Sequence, residues 1–288
     1  MESTQENTEE VYLFNRNDFE KQRLNKQHEL LVSLCDGNLL HPSIPKDAIG
    51  KLAEVGTGSG IWLDDIATVL GSDIESFSMK REYAGFDISA VHFPANLRPD
   101  TQYIVHDILE PFPSEFHNLY DVVHIRLMVL ALKKDDIQTA AANVAALLKP
   151  GGFFQWEEIE TRDLSFSPPS EITSKVKGIM RDLSMASGLT NTPSIEIERA
   201  FKELGLVDVI VEDYNSNRRP DLTSGVAEWT KAGAKAALFY AILRGQTVRN
   251  EEEARSESAE LWEAYAAEID GGVVPSLPLK MILGKKAS

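Results

Sequence analysis

The stretch from Lys51 to Ala67, KLAEVGTGSGIWLDDIA, decides how this chain is read. A short apolar strand, KLAEV, runs into glycines at alternate positions, Gly56, Gly58 and Gly60, with the carboxylate of Glu54 two residues ahead of the first. Glycine loses more conformational freedom on folding than other residues and weakens strand and helix alike, so the cluster needs a compensating gain. A ligand that meets the backbone at close range supplies one, through loop N–H groups and a helix N-terminus. A dinucleotide-binding turn requires G-x-G-x-x-G, and the sixth position counted from Gly56 is Ile61. A P-loop requires lysine after its last glycine, and Ile61 stands there as well. What is left is E-x-G-x-G-x-G between a strand and a helix that runs from about Ile61 to Leu70.

Outward from that loop, strand and helix signals alternate up to residue 160. YAGFDIS closes a second strand at Asp87, TQYIVHDI a third at Asp107, and YDVVHIR forms a fourth. The helix DDIQTAAANVAALL follows, and the turn KPGG introduces a fifth strand, GGFFQWEEI. Such alternation predicts a parallel sheet with helices on both faces. Beyond Glu160, SIEIERAFKELGL reads as a helix, VDVIVEDY as a sixth strand and LPLKMILGKK as the last. Roughly sixty residues separate the last two strands, where most connections need about six. That excess is helical in pattern and predicts a cap over one end of the sheet, at about residues 215–272. At the other end, DFEKQRLNKQHELLVSLCDGNLL predicts a helix with Asp18 as N-cap and Gly37 as its stop. The expected organisation is a disordered tail over 1–10, a helical lid over 11–50 and a sheet domain over 51–288 that carries the cap.

Composition narrows the function. The 288 residues hold 29 Lys and Arg against 45 Asp and Glu, a net charge of −16. An acidic surface repels phosphate backbones, and no basic patch longer than the terminal GKKAS offsets it, so nucleic acid is not an expected partner. The single cysteine, Cys35, excludes an internal disulfide framework. The N-terminus is polar and acidic and no apolar run approaches the ~20 residues of a membrane helix, which sets the expectation of a cytoplasmic protein with no membrane partner.

With these stations in order, EVGTGSGIW resembles motif I of the class I methyltransferases that use S-adenosylmethionine. The resemblance implies a Rossmann-like α/β sheet of seven strands, the last antiparallel, with S-adenosyl-L-methionine as cofactor. It implies cofactor contacts from Glu54, Gly56, Thr57, Gly58 and Gly60 in the loop. Asp87 and Ile88 would follow for the ribose side, the carboxylate suiting a vicinal diol; a solvated strand-end acid is the plain alternative for Asp87. Asp107 and Ile108 match the pair that meets adenine, and LLKPGGFFQW matches the late motif before the fifth strand. QRLNKQHELL, GNLLHPSIP and YDVVHIR narrow the resemblance, over about residues 12–160, to the fungal branch of secondary metabolism. That branch holds gliotoxin-type N-methyltransferases and velvet-associated regulatory proteins. The substrate would be a small molecule accepting the methyl group on N, O or S. A regulatory protein partner, a protein substrate and a homodimer remain open.

Catalytic candidates are fewer, because the cofactor carries the driving force and the protein aligns, excludes water and removes protons. His124, at the end of the fourth strand, is either a proton acceptor and wall of the methionine pocket or a hydrogen-bonded core histidine. Arg126 is placed to pair with a carboxylate nearby or with that of the cofactor. His28, with Arg23 and Asn25 on the N-terminal helix and Tyr12 before it, would reach the cofactor or substrate from the lid, or face water on an amphipathic helix. In QWEE, strand alternation sets Trp156 and Glu158 on one face and Gln155 and Glu157 on the other. Glu157 or Glu158 would bind an amine or act as base, with at least one of them expected as a solvated edge residue. Asp64 and Asp65 are explained by the helix N-terminus. His41, His92, His106 and His117 lack metal-ligand spacing, so no metal is expected.

Overall fold

The computed structural model describes residues 18–72, 80–245 and 250–288, so the expected tail over 1–10 and Tyr12 lie outside the described residues. The chain runs α1 (Asp18–Leu34), β1 (Lys51–Val55), α2 (Ile61–Ser72), β2 (Glu82–Asp87), β3 (Thr101–Val105), β4 (Tyr120–Arg126), α3 (Ile137–Leu147) and β5 (Leu148–Ile159). It continues with β6 (Phe166–Ser167), α4 (Glu171–Ala186), α5 (Pro193–Glu203), β7 (Val207–Asn215), α6 (Thr223–Arg244), α7 (Glu251–Asp270), β8 (Val274–Pro275) and β9 (Pro278–Lys285). Seven strands form one sheet in the order β3-β2-β1-β4-β5-β9-β7, and β6 pairs with β8 in a small second sheet. Every pairing from β3 to β5 is parallel, while β9 runs antiparallel to both β5 and β7. This is the seven-stranded Rossmann-like arrangement with an antiparallel last strand.

The central strands are apolar on both faces because helices cover both. One face packs Ala53, Val55, Val123, Ile125, Phe154 and Trp156 under α3 and α5. The other packs Leu52 and Val122 under α2 and the segment around Leu39–Ile49. Polar residues in the strands therefore have nowhere to go but inward, and Glu54, His124 and Gln155 are buried on the α2 face.

Two expectations need adjustment. The KPGG stretch is not a turn ahead of β5 but part of the strand, which starts at Leu148. Gly152 permits this, since a Cβ there would stand 3.0 Å from the Tyr120 and Lys149 carbonyl oxygens. β3 ends at Val105, so Asp107 sits in the turn beyond the strand. Its carboxylate accepts the N–H of Leu109 at 2.9 Å.

Helices α6 and α7 pack together and against α4 around Val176, Ala234, Leu238, Leu261, Tyr265 and Ile269. Helix α4 is an element beyond those expected from the sequence. Its signal was present in Ile172, Val176, Ile179, Met180 and Leu183 at helical spacing, behind a capping box formed by Ser170 and Thr173.

Gly60 has a packing reason of its own. A Cβ at Gly60 or Gly85 would run into the ring of Tyr103 on β3, and Gly60 also stands at φ +75°. Gly60→Ala is expected to cost about 2–4 kcal/mol from left-handed strain plus overpacking. A urea melt measures this, and part of the loss should return when Tyr103→Leu is added.

Candidate functional site

The carboxyl ends of β1, β2, β4 and β5 converge below α1. β1 delivers the glycine loop, in which Gly56 and Gly58 stand at φ +71° and +53°, a region that residues with a side chain seldom adopt. The N–H groups of Gly56 and Thr57 both donate to the Phe86 carbonyl, at 2.8 and 3.0 Å. The Gly58 N–H donates to Asp87 Oδ2 at 2.9 Å, and the Ser89 N–H to Oδ1 at 3.1 Å. The loop after β1 and the acid closing β2 are thus one unit, set at the N-terminus of α2. Each carboxylate oxygen can accept a second hydrogen bond, so Asp87 retains capacity for a diol.

Beneath the loop lies a buried polar row. Glu54 Oε2 accepts from the Thr57 hydroxyl at 2.7 Å, and Glu54 Oε1 stands 3.4 Å from His124 Nδ1. On the opposite side, His124 Nε2 stands 3.5 Å from Glu157 Oε1, which accepts from Gln155 Nε2 at 2.7 Å. Gln155 in turn holds the Leu39 carbonyl and the His41 N–H. The imidazole is fully buried and stacks on Trp62 of α2, with ring centroids 3.7 Å apart and planes 9° apart. Burial alone would pull the His124 pKa down, but its contacts with Glu157 and Glu54 more than offset this and raise it. Burial pushes Glu157 up, and His124 and Arg126 together hold it below the ordinary glutamate value. The imidazole lies between the two carboxylates, with neither ring nitrogen close enough and aligned for a hydrogen bond to them. Of the two readings of His124, the buried one describes its position.

The helix α1 lies across the loop. Leu24 Cδ1 stands 3.5 Å from where a Gly58 Cβ would be, and Asn25 Oδ1 accepts from the Ser59 hydroxyl at 3.0 Å. His28 is buried, with Nε2 2.8 Å from Asp65 Oδ2 on α2. Burial and the nearby Arg126 charge lower its pKa against the pull of Asp65. His28 therefore faces α2, not water. Arg23 reaches Gln27 one turn along the helix, at 3.3 Å.

At the ends of β2 and β3, Ile88 and Ile108 part company. Ile88, directly after Asp87, is 59% exposed, while Ile108 is 7% exposed and packs in the core under α3. Ile88 is the one that offers apolar surface beside the acid. Among the described residues no group of three or more His, Cys, Asp or Glu side chains converges as a metal site would require.

At the ends of β4 and β5 the structure overturns one expectation. Neither Glu157 nor Glu158 is a solvated edge residue; they are 3% and 1% exposed. β9 pairs along β5 as far as Ile159, and α5 covers the second face, so this strand end has no open side. Leu127, just past β4, stands at φ +56° with its N–H on the Glu157 carbonyl at 2.9 Å. An apolar side chain in that conformation is strained, and such strain gathers at functional sites. It sends Met128 back towards the loop, where its sulfur would lie 2.9 Å from a Gly56 Cβ. Trp62, Leu24, Leu127 and Met128 were not recognisable as site residues from the sequence, since each reads as an ordinary apolar residue.

No protein-family model matches the chain. Methyltransferase grgD of a Penicillium species is 36% identical over 220 residues, covering 76% of this chain and 77% of that protein. The chain belongs to this family of fungal methyltransferases. N-methyltransferase gliN of Aspergillus fumigatus is 33% identical over 153 residues, covering 52% of this chain and about half, 51%, of its own length. Among solved structures, a chain from the complex between the Haloferax volcanii Trm112 methyltransferase activator and a methyltransferase superposes with a TM-score of 0.51 at 15% identity. That match covers 95% of this chain and 96% of the other, and it shows the shared fold.

Membership makes this chain a class I, S-adenosylmethionine-dependent methyltransferase, and the site fits the cofactor. Gly56 and Gly58 leave a cradle in which any side chain would take up room beside Met128 or Leu24. Asp87 stands at its rim with acceptor capacity, and Ile88 is exposed next to it. When bound, S-adenosylmethionine supplies a methyl group activated by a sulfonium centre; this chain's residues bind, orient and enclose.

The buried row makes stability depend on pH. His124 has its folded pKa raised above the unfolded value near 6.5, so its stabilising contribution is full below that value and is lost as pH rises through the folded pKa. His124→Gln should be less stable than the wild type by about 3–5 kcal/mol below pH 6.5, since it leaves two buried carboxylates without their partner. Thermal or urea melts across pH should show that gap narrowing as the pH is raised.

Proposed function

We propose that this methyltransferase acts on a small molecule of fungal secondary metabolism, in the cytoplasm, accepting the methyl group on N, O or S. The observation that carries the reading is the glycine loop joined to Asp87 at the carboxyl edge of the sheet, beneath α1, in a chain of this family. Loop N–H groups and the start of α2 would take the methionine part of the cofactor, Asp87 the ribose hydroxyls, and Ile88 with Asp107 the adenine. Glu54 and Thr57 support the loop from below, and His124 and Glu157 act as positioning residues that lock Glu54 to β5. In the same reading the described part of the lid expected over 11–50, from α1 onward, is held over the loop by His28 and Asn25. The segment at about 215–272, which carries α6 and α7, forms the cap over the acceptor.

Among the described residues no helix is long and apolar enough to cross a membrane, consistent with a substrate met in solution. Asp87→Ala is expected to weaken S-adenosylhomocysteine binding at least tenfold in calorimetry, from the loss of charge-assisted hydrogen bonds worth about 1.5–3 kcal/mol. Unchanged affinity would remove Asp87 from the ribose site. Incubation with methyl-labelled S-adenosylmethionine and a fungal extract, split into metabolite and protein fractions, tests the acceptor. Label is expected in the metabolites. Label in protein would replace the small molecule by a protein substrate, and cofactor binding with no label in either fraction would favour a regulator acting through partners.

A further inference from the structure

A cavity of about 190 Å3 opens at the amino edge of the sheet, between the segment that precedes β1 and the early residues of β4 and β5. The glycine loop and Asp87 lie at the opposite, carboxyl edge, so this space is distinct from the site under α1. Ile44 and Ile49 form one wall, and Val122 and Phe153 of the sheet form the other. Gly151, at φ +79°, and Gly152 bring no side chain into it. A cavity of about 150 Å3 with aliphatic and aromatic walls takes up benzene, so there is room here for a ring-sized apolar body.

Two charged side chains reach the cavity, Asp121 and Lys285, and they differ in what they hold. Asp121 is engaged on both oxygens: Oδ2 accepts the Gly50 and Lys51 N–H groups at 2.8 Å each, and Oδ1 accepts from Lys149 Nζ at 2.9 Å. Lys285 of β9 stands directly opposite Phe153 in the β5–β9 pairing, with its ammonium 5.5 Å from the centre of that ring. Among the described residues no carboxylate pairs with it. The neighbouring lysines are taken, Lys149 by Asp121 and Lys286 by the Ala145 and Leu148 carbonyls. An apolar space with an uncompensated cation at its edge favours an anion that carries apolar surface. Burial of that surface and attraction of the charges then act together.

We propose that this cavity is a second small-molecule site, which binds a carboxylate on a ring-sized apolar body. The body lies against Ile44, Ile49, Val122 and Phe153, and the carboxylate accepts from Lys285 Nζ. The proposal stands apart from the methyl-transfer reading, because none of these residues belongs to the glycine loop, the buried polar row or α1. A neutral ligand of the same shape leaves Lys285 without a counter-charge, and a cationic one is repelled by it.

Matched probes test this on the full chain. Protein labelled with 13C at the isoleucine δ-methyls reports on the cavity through Ile44 and Ile49, assigned by Ile44→Val and Ile49→Val. Benzoate is expected to shift both resonances and to saturate at roughly fivefold lower concentration than benzamide, its neutral isostere. Lys285→Met keeps the side-chain stem without the charge and should bring benzoate to the level of benzamide. Ala48→Trp, at the exposed rim of the cavity, should fill the space and remove both shifts. Each variant should keep the wild-type urea midpoint and S-adenosylhomocysteine affinity, since neither position touches the core or the glycine loop. No shift with benzoate, equal saturation by the two probes in the wild type, or a preference retained in Lys285→Met would each overturn the proposal. So would shifts that persist in Ala48→Trp. Loss of the benzoate shifts on adding S-adenosylhomocysteine would place the probe at the glycine loop and overturn it as well.

Discussion

A single imidazole between two buried carboxylates holds the working edge of this protein together. His124 stacks on Trp62 of α2 and faces Glu54 of β1 on one side and Glu157 of β5 on the other. Three strands and a helix therefore share one buried arrangement of ionisable groups. Removing one member leaves an uncompensated charge, which is why such a row tolerates little change. Through Glu54 it reaches Thr57 and the glycine loop; through Glu157 and Gln155 it reaches the backbone at Leu39 and His41. The glycine loop and the segment after α1 are positioned by the same buried atoms.

The glycines divide the remaining work. Gly56 yields space to Met128 and Gly60 to Tyr103 from the neighbouring strand, while Gly58 faces Leu24 of α1 at ordinary contact distance. The motif thus carries packing requirements on two sides of the loop. Across the sheet, the strained turn at Leu127 carries Met128 to the back of Gly56. The two faces of β5 differ: Gln155 and Glu157 belong to the supporting row, and Trp156 packs in the core under α3 and α5.

Much of this was legible in the sequence. The glycine spacing, the strand-end acids and the alternation of elements are local patterns, and local patterns survive in one dimension. Strand alternation also assigned the faces of β5 correctly, since it depends only on the period of two. The burial of Glu157 and Glu158 was not legible. A glutamate pair near a strand end reads as solvated, and only β9 lying along β5 and α5 covering its other face remove the water. The packing of α4 with α6 and α7 was likewise out of reach, because the contacts come from segments far apart in the chain.

The sequence by itself determined the sheet, most of its helices and the place of the glycine loop, since these follow from hydrophobic period, turn residues and the steric freedom of glycine. Tertiary structure alone decided which charges lose their water. Whether His124 is a surface base or a buried clamp, and whether Glu157 and Glu158 meet water, depends on the groups that fold around them. Electrostatic free energy is set by surroundings in three dimensions, and no spacing along the chain encodes it directly.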